Sequence, residues 1–220
     1  MKRHPYVACD FSDDLVIWRY FTWPKFMWLL EESKLFFCRM DRLKDKAELP
    51  ATEKIAKSYG NTLENFRKYL KRSKMGSFVN CWTISPHEES VMWDAYANDE
   101  MGVAIKTTAG NLIKSDLNAN NGVDVGKVSY FDEQVESPQP PGERMNFLYL
   151  AFAKRKYYDR ETELRLFRGV QDDQFSLPVD LKTMIQEVRI NPSAPEYAKT
   201  LIRKYICSKG YSFPVLDSDL

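Results

Sequence analysis

The stretch YYDRETELRLF, residues 157–167, carries a charged side chain at every second position from Glu161 through Glu163 to Arg165. Threonine and leucine occupy the positions between them. Successive side chains of a β-strand point to opposite faces, so a strand here aligns two carboxylates and a guanidinium on one face. The alternation therefore predicts a strand, and it raises the question of what the charged face does.

The periodicity leaves two interpretations of that face open. In the first, Leu164 and Leu166 enter the core while the charged residues face water or pair across strands. In the second, a carboxylate points into a cleft, where it accepts a hydrogen bond from a sugar hydroxyl or stabilises an oxocarbenium ion. A nearby guanidinium such as that of Arg165 would keep this carboxylate ionised. Arg165 is also a candidate ligand-binding residue of this cleft.

On either side of this stretch, strand-like and helix-like segments mix without the regular order of βαβ units. The strand-like segments are 14–21, 34–40, 76–85, 101–108, 124–131, 184–192 and 212–216. The helix-like segments are 23–34, 61–70, 88–99, 109–117, 145–158 and 196–206. This order predicts a single α+β domain over residues 1–220, with a mixed, mostly antiparallel sheet flanked by helices.

Three local features refine this organisation. Asn61 and Glu64 have the spacing of a capping box at the start of a helix. The segment from about residue 41 to residue 76 is rich in basic residues and is expected to form a helical excursion from the domain. The proline-rich ESPQPPGE, residues 136–143, predicts a surface loop.

Composition limits the kinds of protein that this chain can be. Of its 220 residues, 44% are hydrophobic and 14% aromatic, which is enough for a packed core. The net charge of +1 gives no whole-molecule argument for binding nucleic acid or a membrane. The first residues lack the apolar run of a signal peptide, and no segment approaches the roughly 18 apolar residues of a membrane span. We therefore expect a cytoplasmic protein that does not bind membranes.

Cysteine and histidine are too scattered to indicate a metal site or a catalytic triad. The cysteines at positions 9, 38, 81 and 207 show no CxxC spacing, which is typical of thiols in a reducing compartment. His4 and His87 lie near no cysteine at ligand spacing and beside no GxSxG-type turn. We predict that no metal is bound.

Arg19 interrupts the apolar segment IWRYF, residues 17–21. A buried charge needs a partner or an opening, because burying it alone is costly. One interpretation is an ion pair with an interior carboxylate. The other is a phosphate clamp, since the guanidinium fork grips two phosphate oxygens at once. Arg19 and the adjacent Tyr20 are therefore candidate ligand-binding residues.

A second group of candidates lies in the middle of the chain. In NCWTIS, residues 80–85, strand alternation places Thr83 and Ser85 on the face of Cys81. Short hydroxyl side chains at a strand end can bind a ribose or an amide, although they are also ordinary residues at that position. Trp93 and Tyr96 could stack on a flat ligand. Aromatic residues at helical spacing are more often core, and this interpretation is favoured for Trp93.

Residues 51–76 form the one charged patch of the sequence. Its cations outnumber Glu53 and Glu64, and they are Lys54, Lys57, Arg67, Lys68, Lys71, Arg72 and Lys74. A helix with such a face could contact the phosphates of a nucleic acid. A solvated helix face is the commoner explanation.

Several motifs in a fixed order resemble one family. They are WRYF, KLFFCRMDRLKD, NCWT, MWDAY, GVAI, GKVSY, AKRKYYDRETELR and VLDSDL. Together they cover nearly the whole chain, and their combination resembles the bacterial domain of unknown function family twenty-nine seventy-one. The name of that family implies a related fold and carries no activity.

A more distant resemblance implies a chemistry. An arginine on an early strand, short hydroxyl residues on a middle strand and E-x-E on a later strand are similar to ADP-ribosyltransferases of the Arg–Ser–Glu class. In that class the arginine holds the NAD phosphates, the hydroxyl residue supports the nicotinamide ribose, and the second glutamate favours the oxocarbenium-like transition state. The matching positions are Arg19, Thr83 and Glu163, with Glu161 as the first glutamate, which orients the acceptor nucleophile. The middle motif CWTIS departs from Ser-Thr-Ser, so Ser85 is an alternative to Thr83.

These features leave three functions to weigh. The first, which we favour, is an ADP-ribosyltransferase-like enzyme that cleaves the N-glycosidic bond of NAD and transfers ADP-ribose to a protein or nucleic acid, as bacterial toxins and phage-defence effectors do. The second is a nucleic-acid-binding or metal-dependent nucleic-acid-processing protein, with Glu161 and Glu163 binding Mg²⁺ together with Asp94 or Glu89. The third is a non-catalytic interaction module. The sequence leaves the acceptor and any protein partner open.

Overall fold

The computed structural model describes residues 1–3, 10–43, 51–118, 121–132 and 147–220. The predicted proline-rich loop at 136–143 lies outside the described residues, as do His4, Cys9 and residues 44–50 of the predicted basic excursion. None of the helices in the described ranges has both the length and the apolar character that a membrane span requires.

The described residues form the following elements. The strands are β1 (Lys2–Arg3), β2 (Val16–Phe21), β3 (Lys34–Arg39), β4 (Ser77–Ile84), β5 (Val103–Thr108), β6 (Asp124–Lys127), β7 (Ser129–Phe131), β8 (Ala153–Arg155), β9 (Glu163–Gly169), β10 (Phe175–Pro178), β11 (Glu187–Ile190) and β12 (Val215–Asp217). The helices are α1 (Trp23–Glu32), α2 (Glu53–Ser58), α3 (Leu63–Met75), α4 (Ser90–Tyr96), α5 (Ala109–Lys114), α6 (Phe147–Ala151), α7 (Leu181–Met184) and α8 (Glu196–Ser208). Short 3₁₀ turns cover Met40–Arg42 and Lys156–Glu161.

The chain forms two compact units that are interleaved along the sequence. The first unit comprises Met1–Asp10, Phe37–Cys81 and Asn121–Phe175. The second unit comprises Phe11–Phe36, Trp82–Asn120 and Ser176–Leu220. The expected single domain stays a prediction.

In the first unit, β6 pairs parallel with β1 and antiparallel with β9. The register places Gly126 opposite Arg165, so β6 puts no side chain beside that guanidinium. β3 and β4 pair antiparallel, and β7 and β8 pair parallel. Helices α2, α3 and α6 pack onto one apolar core with residues of β4 and β9. Its larger members are Met40, Ile55, Tyr59, Phe66, Leu70, Val79, Phe131, Leu150, Phe152 and Phe167.

Helix α3 shows how local sequence produces one of these layers. The Thr62 side chain accepts a hydrogen bond from the Asn65 backbone N–H, which satisfies a donor that the first turn leaves without an intrahelical partner. Phe66 and Leu70 lie four residues apart and bury the same helical face. The predicted cap at Asn61 is therefore wrong by one residue.

In the second unit, β2 lies between β4 and β5 and is antiparallel to both. β11 pairs antiparallel with β5 and parallel with β12. Helix α4 packs onto β2 and β5 through a cluster formed by Trp18, Tyr20, Trp93, Ala97 and Ala104. Both units thus combine a mixed sheet with flanking helices, and antiparallel pairings predominate. This confirms the predicted α+β class.

Two sequence predictions about individual elements are wrong. The helix expected over 145–158 is, in its described part, confined to Phe147–Ala151, and strand β8 and a 3₁₀ turn follow it. Pairing of β8 with β7 overrides the local helical pattern there. The strand expected over 124–131 divides into β6 and β7, because the Val128 N–H donates to the Glu163 carbonyl and the two halves pair with different strands.

Candidate active site

Glu163 opens strand β9 and is surrounded by hydrogen-bond donors. Its Oε1 lies 2.6 Å from Arg165 Nε, and its Oε2 lies 3.2 Å from Arg165 Nη2 and 2.8 Å from Lys154 Nζ. The Cys81 thiol donates a further hydrogen bond to this carboxylate. Glu163 is only 5% exposed, so the structure holds a buried carboxylate in contact with two cations.

The cations determine the charge of this carboxylate. Burial raises the pKa of Glu163, but the charges of Arg165 and Lys154 outweigh that effect and lower it from 4.5 to about 2. Glu163 is therefore ionised at neutral pH, although almost no water reaches it. The first sequence interpretation let this row of charges face water or form ion pairs; facing water is wrong for Glu163 and Arg165, which are both buried, whereas ion pairing is observed.

Arg165 acts on Glu163 rather than on a ligand. The side chain is completely buried, and its Nη1 donates to the carbonyl of Ala151 at 2.6 Å, at the end of α6. Its other nitrogens donate to both oxygens of Glu163. The assignment of Arg165 as a ligand-binding residue does not fit this burial, and its guanidinium instead fixes the orientation of the carboxylate.

Glu161 is not on the strand that carries Glu163. It ends the 3₁₀ turn Lys156–Glu161, and Thr162 follows with φ of +33° and ψ of 74°. A β-branched residue rarely adopts this left-handed conformation, which is a local source of strain. The kink breaks the alternation, and Glu161 Oε2 lies 2.6 Å from Lys154 Nζ. The predicted alignment of Glu161 with Glu163 on one strand is therefore wrong, although both carboxylates contact one ammonium group.

The sequence analysis missed the residues that surround the two glutamates. Lys154 lies in β8, in a segment whose pattern favours a helix, so its contact with Glu163 was not predictable from spacing. Tyr130 accepts a hydrogen bond from the Glu163 backbone N–H at 3.1 Å. Burial and the charge of Glu163 raise the pKa values of both Cys81 and Tyr130, which keeps these two groups protonated.

In the second unit, some of the predicted ligand-binding residues meet at the turn before α4. The Tyr20 hydroxyl accepts a hydrogen bond from the Glu89 backbone N–H at 2.8 Å, and the Ser85 hydroxyl donates to the Glu89 carboxylate at 2.8 Å. Trp93 Nε1 donates to Glu88 at 3.1 Å. These contacts bring Tyr20, Ser85 and Trp93 to one short segment of the chain.

Arg19 and Thr83 point to opposite faces of the sheet in this unit. Trp18 lies directly opposite Thr83 in the β2–β4 register, so these two side chains point to the same face. Arg19 follows Trp18, so the Arg19 side chain points to the other face. There the Arg19 guanidinium lies 5.1 Å from the ring centre of Phe21 and 5.8 Å from that of Trp82. The structure thus places on opposite faces two side chains that the resemblance to ADP-ribosyltransferases would bring to one NAD molecule.

The two aromatic stacking candidates differ in exposure. Trp93 is 3% exposed and packs edge-on against Tyr20, so a ligand would have to displace core side chains to stack on it. Tyr96 is 48% exposed at the end of α4. Thr83 is also buried.

Within the described parts of the chain, no three histidine, cysteine, aspartate or glutamate side chains cluster as metal ligands would. The Lys154 ammonium lies between the carboxylates of Glu161 and Glu163, where the second function would place Mg²⁺.

No family model and no curated protein matches this chain, so the resemblance to family twenty-nine seventy-one stays a prediction. Among solved structures, the chain is similar to Thermus sp. 2.9 DarT in complex with carba-NAD⁺, with NAD⁺ and with ADP-ribosylated ssDNA. The sequence identities are 8%, 9% and 11%, and the matches cover 94% of this chain and 97%, 96% and 95% of those chains. Each has a TM-score of 0.44. A likeness this distant assigns no activity, so a function for the chain has to come from its own residues.

Proposed function

We propose that the chain is an ADP-ribosyltransferase-like enzyme that cleaves the N-glycosidic bond of NAD and transfers ADP-ribose to an acceptor. The observation that carries this proposal is the Glu163 carboxylate, which is buried and yet remains charged. A fixed negative charge in a site with little water interacts more strongly with a developing positive charge than the same group in water. Cleavage of a glycosidic bond through an oxocarbenium ion needs such a charge.

The proposed reaction breaks the bond between the ribose C1′ atom and the nicotinamide nitrogen. The bonding electron pair leaves with nicotinamide, which becomes neutral, and positive charge passes to the ribose ring beside Glu163. An oxygen or nitrogen of the acceptor then bonds to C1′, and its proton passes to Glu161 or to water. When water itself is the acceptor, the product is free ADP-ribose.

A ribose hydroxyl has to replace one of the present donors to reach Glu163. A carboxylate offers about four acceptor positions, and Arg165, Lys154 and Cys81 together supply four donors. The Cys81 thiol is the weakest of these donors, and Lys154 keeps Glu161 as a second partner if it releases Glu163. Replacing the Cys81 thiol or the Lys154 ammonium by a ribose hydroxyl as donor to Glu163 therefore costs less free energy than breaking the two hydrogen bonds from Arg165.

The direct test uses NAD labelled in its adenosine part, incubated with the purified protein alone, with single-stranded DNA, with RNA and with lysate proteins. We expect release of nicotinamide in every mixture and transfer of label to one class of acceptor. Intact NAD in all four mixtures would overturn the proposed function.

We expect Glu161→Gln to impair transfer more than hydrolysis. The Glu161 side chain is 33% exposed, while Glu163 is almost completely buried, so an acceptor approaches Glu161 first. Removing a general base slows a reaction by about 100-fold or more. Transfer of label should fall by about that factor, whereas nicotinamide release into water should fall by less than about tenfold.

The two rates are measured in one assay, as nicotinamide release and as label bound to the acceptor. Glu196→Gln is the matched control, because it removes an exposed, lysine-paired carboxylate of α8. Equal losses of transfer and hydrolysis in Glu161→Gln would contradict the role of Glu161 as base for the acceptor.

The exposed cations of α3 favour a nucleic acid as acceptor or as bound partner. Arg67, Lys71 and Arg72 are exposed on this helix, whose apolar face packs into the first unit. Reversing these three charges to glutamate should weaken binding of a single-stranded oligonucleotide. The slope of log K against log salt should fall by about 2, since each lost phosphate contact removes about 0.7.

The control variant reverses three exposed lysines of the second unit to glutamate, namely Lys25, Lys114 and Lys204. It changes the net charge by the same amount as the α3 variant. Fluorescence anisotropy at several salt concentrations compares the two triple variants with the parent. An identical loss in both would show that net charge, rather than the α3 face, controls binding.

A further inference from the structure

Lys154 occupies the space between the two glutamates. Its Nζ lies 2.6 Å from Glu161 Oε2 and 2.8 Å from Glu163 Oε2, and the residue is 8% exposed. Burial of a lysine is rare unless the charge is paired. Here one ammonium group with three donors serves two carboxylates that come from different elements, a 3₁₀ turn and strand β9.

We propose that Lys154 is the positioning residue of the candidate active site: its ammonium group sets the separation of Glu161 and Glu163. This inference rests on the proposed function and deepens it, since it assigns the geometry of the glutamate pair to one further side chain. Glu163 is already oriented by Arg165, whereas Glu161 is held at the pair by Lys154. Lys154 therefore matters most for the position of Glu161.

Charged and aromatic groups from several elements of the first unit face Lys154 or its partner Glu163. Glu161 and Glu163 contact its ammonium, and the Tyr158 ring centre lies 5.9 Å from Nζ. Around Glu163, the further groups are Arg165 on β9, the Cys81 thiol on β4 and the Tyr130 hydroxyl on β7. Lys154 contacts both carboxylates, so its removal leaves two neighbouring negative charges, with Arg165 still in contact with Glu163.

Lys154→Met keeps the length of the side chain and removes its charge. Like charges at short range favour protonation of one carboxylate, so the acid limb of the pH–rate profile for transfer should move to higher pH. A displacement of a catalytic group by about 1 Å can lower a rate about 100-fold. We expect kcat for transfer to fall by about this factor while KM for NAD changes little.

Lys154→Arg should restore part of kcat and the position of the acid limb.

Two further variants separate positioning from a merely structural role. The double variant Lys154→Met/Glu161→Gln also lacks the Glu161 carboxylate, so no like charge repels Glu163 across the pair. The acid limb of its pH–rate profile should therefore return to the parental position, even though kcat for transfer stays low. Lys199→Met is the matched control, because it removes a paired lysine of α8, remote in sequence from both glutamates. An unchanged pH profile and kcat in Lys154→Met would overturn the inference.

A measurement without NAD distinguishes failure of this inference from failure of the proposed function. The free energy of unfolding of Lys154→Met, relative to the parent, should rise as the pH falls from 7 towards 4, because protonation relieves the repulsion between the carboxylates. Lys154→Met/Glu161→Gln should show no such rise. If the parent leaves NAD intact but this pattern holds, the proposed function fails and the positioning of the pair stands. If NAD is cleaved and the pattern is absent, only the inference about Lys154 fails.

Discussion

Nicotinamide release from NAD falls by about 100- to 1000-fold in Glu163→Gln protein that is still folded, which is the largest effect on activity that we expect. Glutamine keeps the size of the side chain and some of its hydrogen bonds, but it cannot supply the negative charge that the oxocarbenium-like transition state requires. Losing one well-placed electrostatic group typically lowers kcat by about 100- to 1000-fold. The rate is measured as nicotinamide released per protein at saturating NAD.

The structure changes how this variant has to be controlled. From the sequence alone, a substitution that conserves size, such as Glu163→Gln, is expected to leave the fold intact. In the structure it leaves Arg165 buried without its counter-charge, and breaking a buried ion pair costs about 3–5 kcal/mol. Leu166→Ala is a suitable control, because it lies on the other face of β9, is fully buried and should cost about 2–5 kcal/mol.

Both variants are assayed at a temperature at which circular dichroism shows them folded. Leu166→Ala should retain activity, while Glu163→Gln should lose about 100- to 1000-fold. Full activity in folded Glu163→Gln would remove Glu163 from the chemistry and leave its ion pairs as purely structural contacts.

The sequence predicted the part of the site that depends on local alternation. From Glu163 onward, strand period and apolar content predict β9, and Glu163 and Arg165 share a face as expected. The alternation fails one residue earlier, at Thr162, because a left-handed residue turns the chain. No composition signal marks this conformation, since threonine is ordinarily a strand residue.

The remainder of the site depends on pairing between distant segments, which a periodic pattern does not encode. Lys154 was missed because its segment has a helical pattern, and its role follows only from the pairing of β8 with β7. The resemblance to ADP-ribosyltransferases implies that Arg19 and Thr83 contact the same NAD molecule. The register of β2 against β4 places them on opposite faces, and a shift of one residue in that register would have reversed the result.

Arg165→Met should cause the largest loss of stability of any single change in the candidate site. The substitution keeps an unbranched, apolar side chain in the space, but it removes the donors that hold Glu163 and the Ala151 carbonyl. Breaking one partner of a buried ion pair typically costs about 3–5 kcal/mol. We expect a decrease of that size in the free energy of unfolding at pH 7, measured by urea denaturation.

The pH dependence gives this prediction a second, independent signature. The pKa of Glu163 is about 2 in the folded protein, compared with its ordinary 4.5. A group whose pKa is lowered by folding stabilises the protein above its unfolded pKa, and that stability is lost as the pH falls towards the folded pKa. The parent should therefore lose stability through this group as the pH falls from 4.5 towards 2.

In Arg165→Met the stronger of the two attractions on Glu163 is gone, while burial still disfavours the charged form. The folded pKa of Glu163 then moves up towards or above 4.5, and the loss of stability through this group on acidification shrinks or changes sign. Unfolding free energies at pH 7, 4.5 and 3 for the parent, Glu163→Gln, Arg165→Met and the double variant complete a double-mutant cycle. The double variant should be less destabilised than the sum of the single variants, because neither residue then leaves a partner buried without its counter-charge. Additive losses, or a parental acid response in Arg165→Met, would show that Lys154 alone holds Glu163 in its charged form.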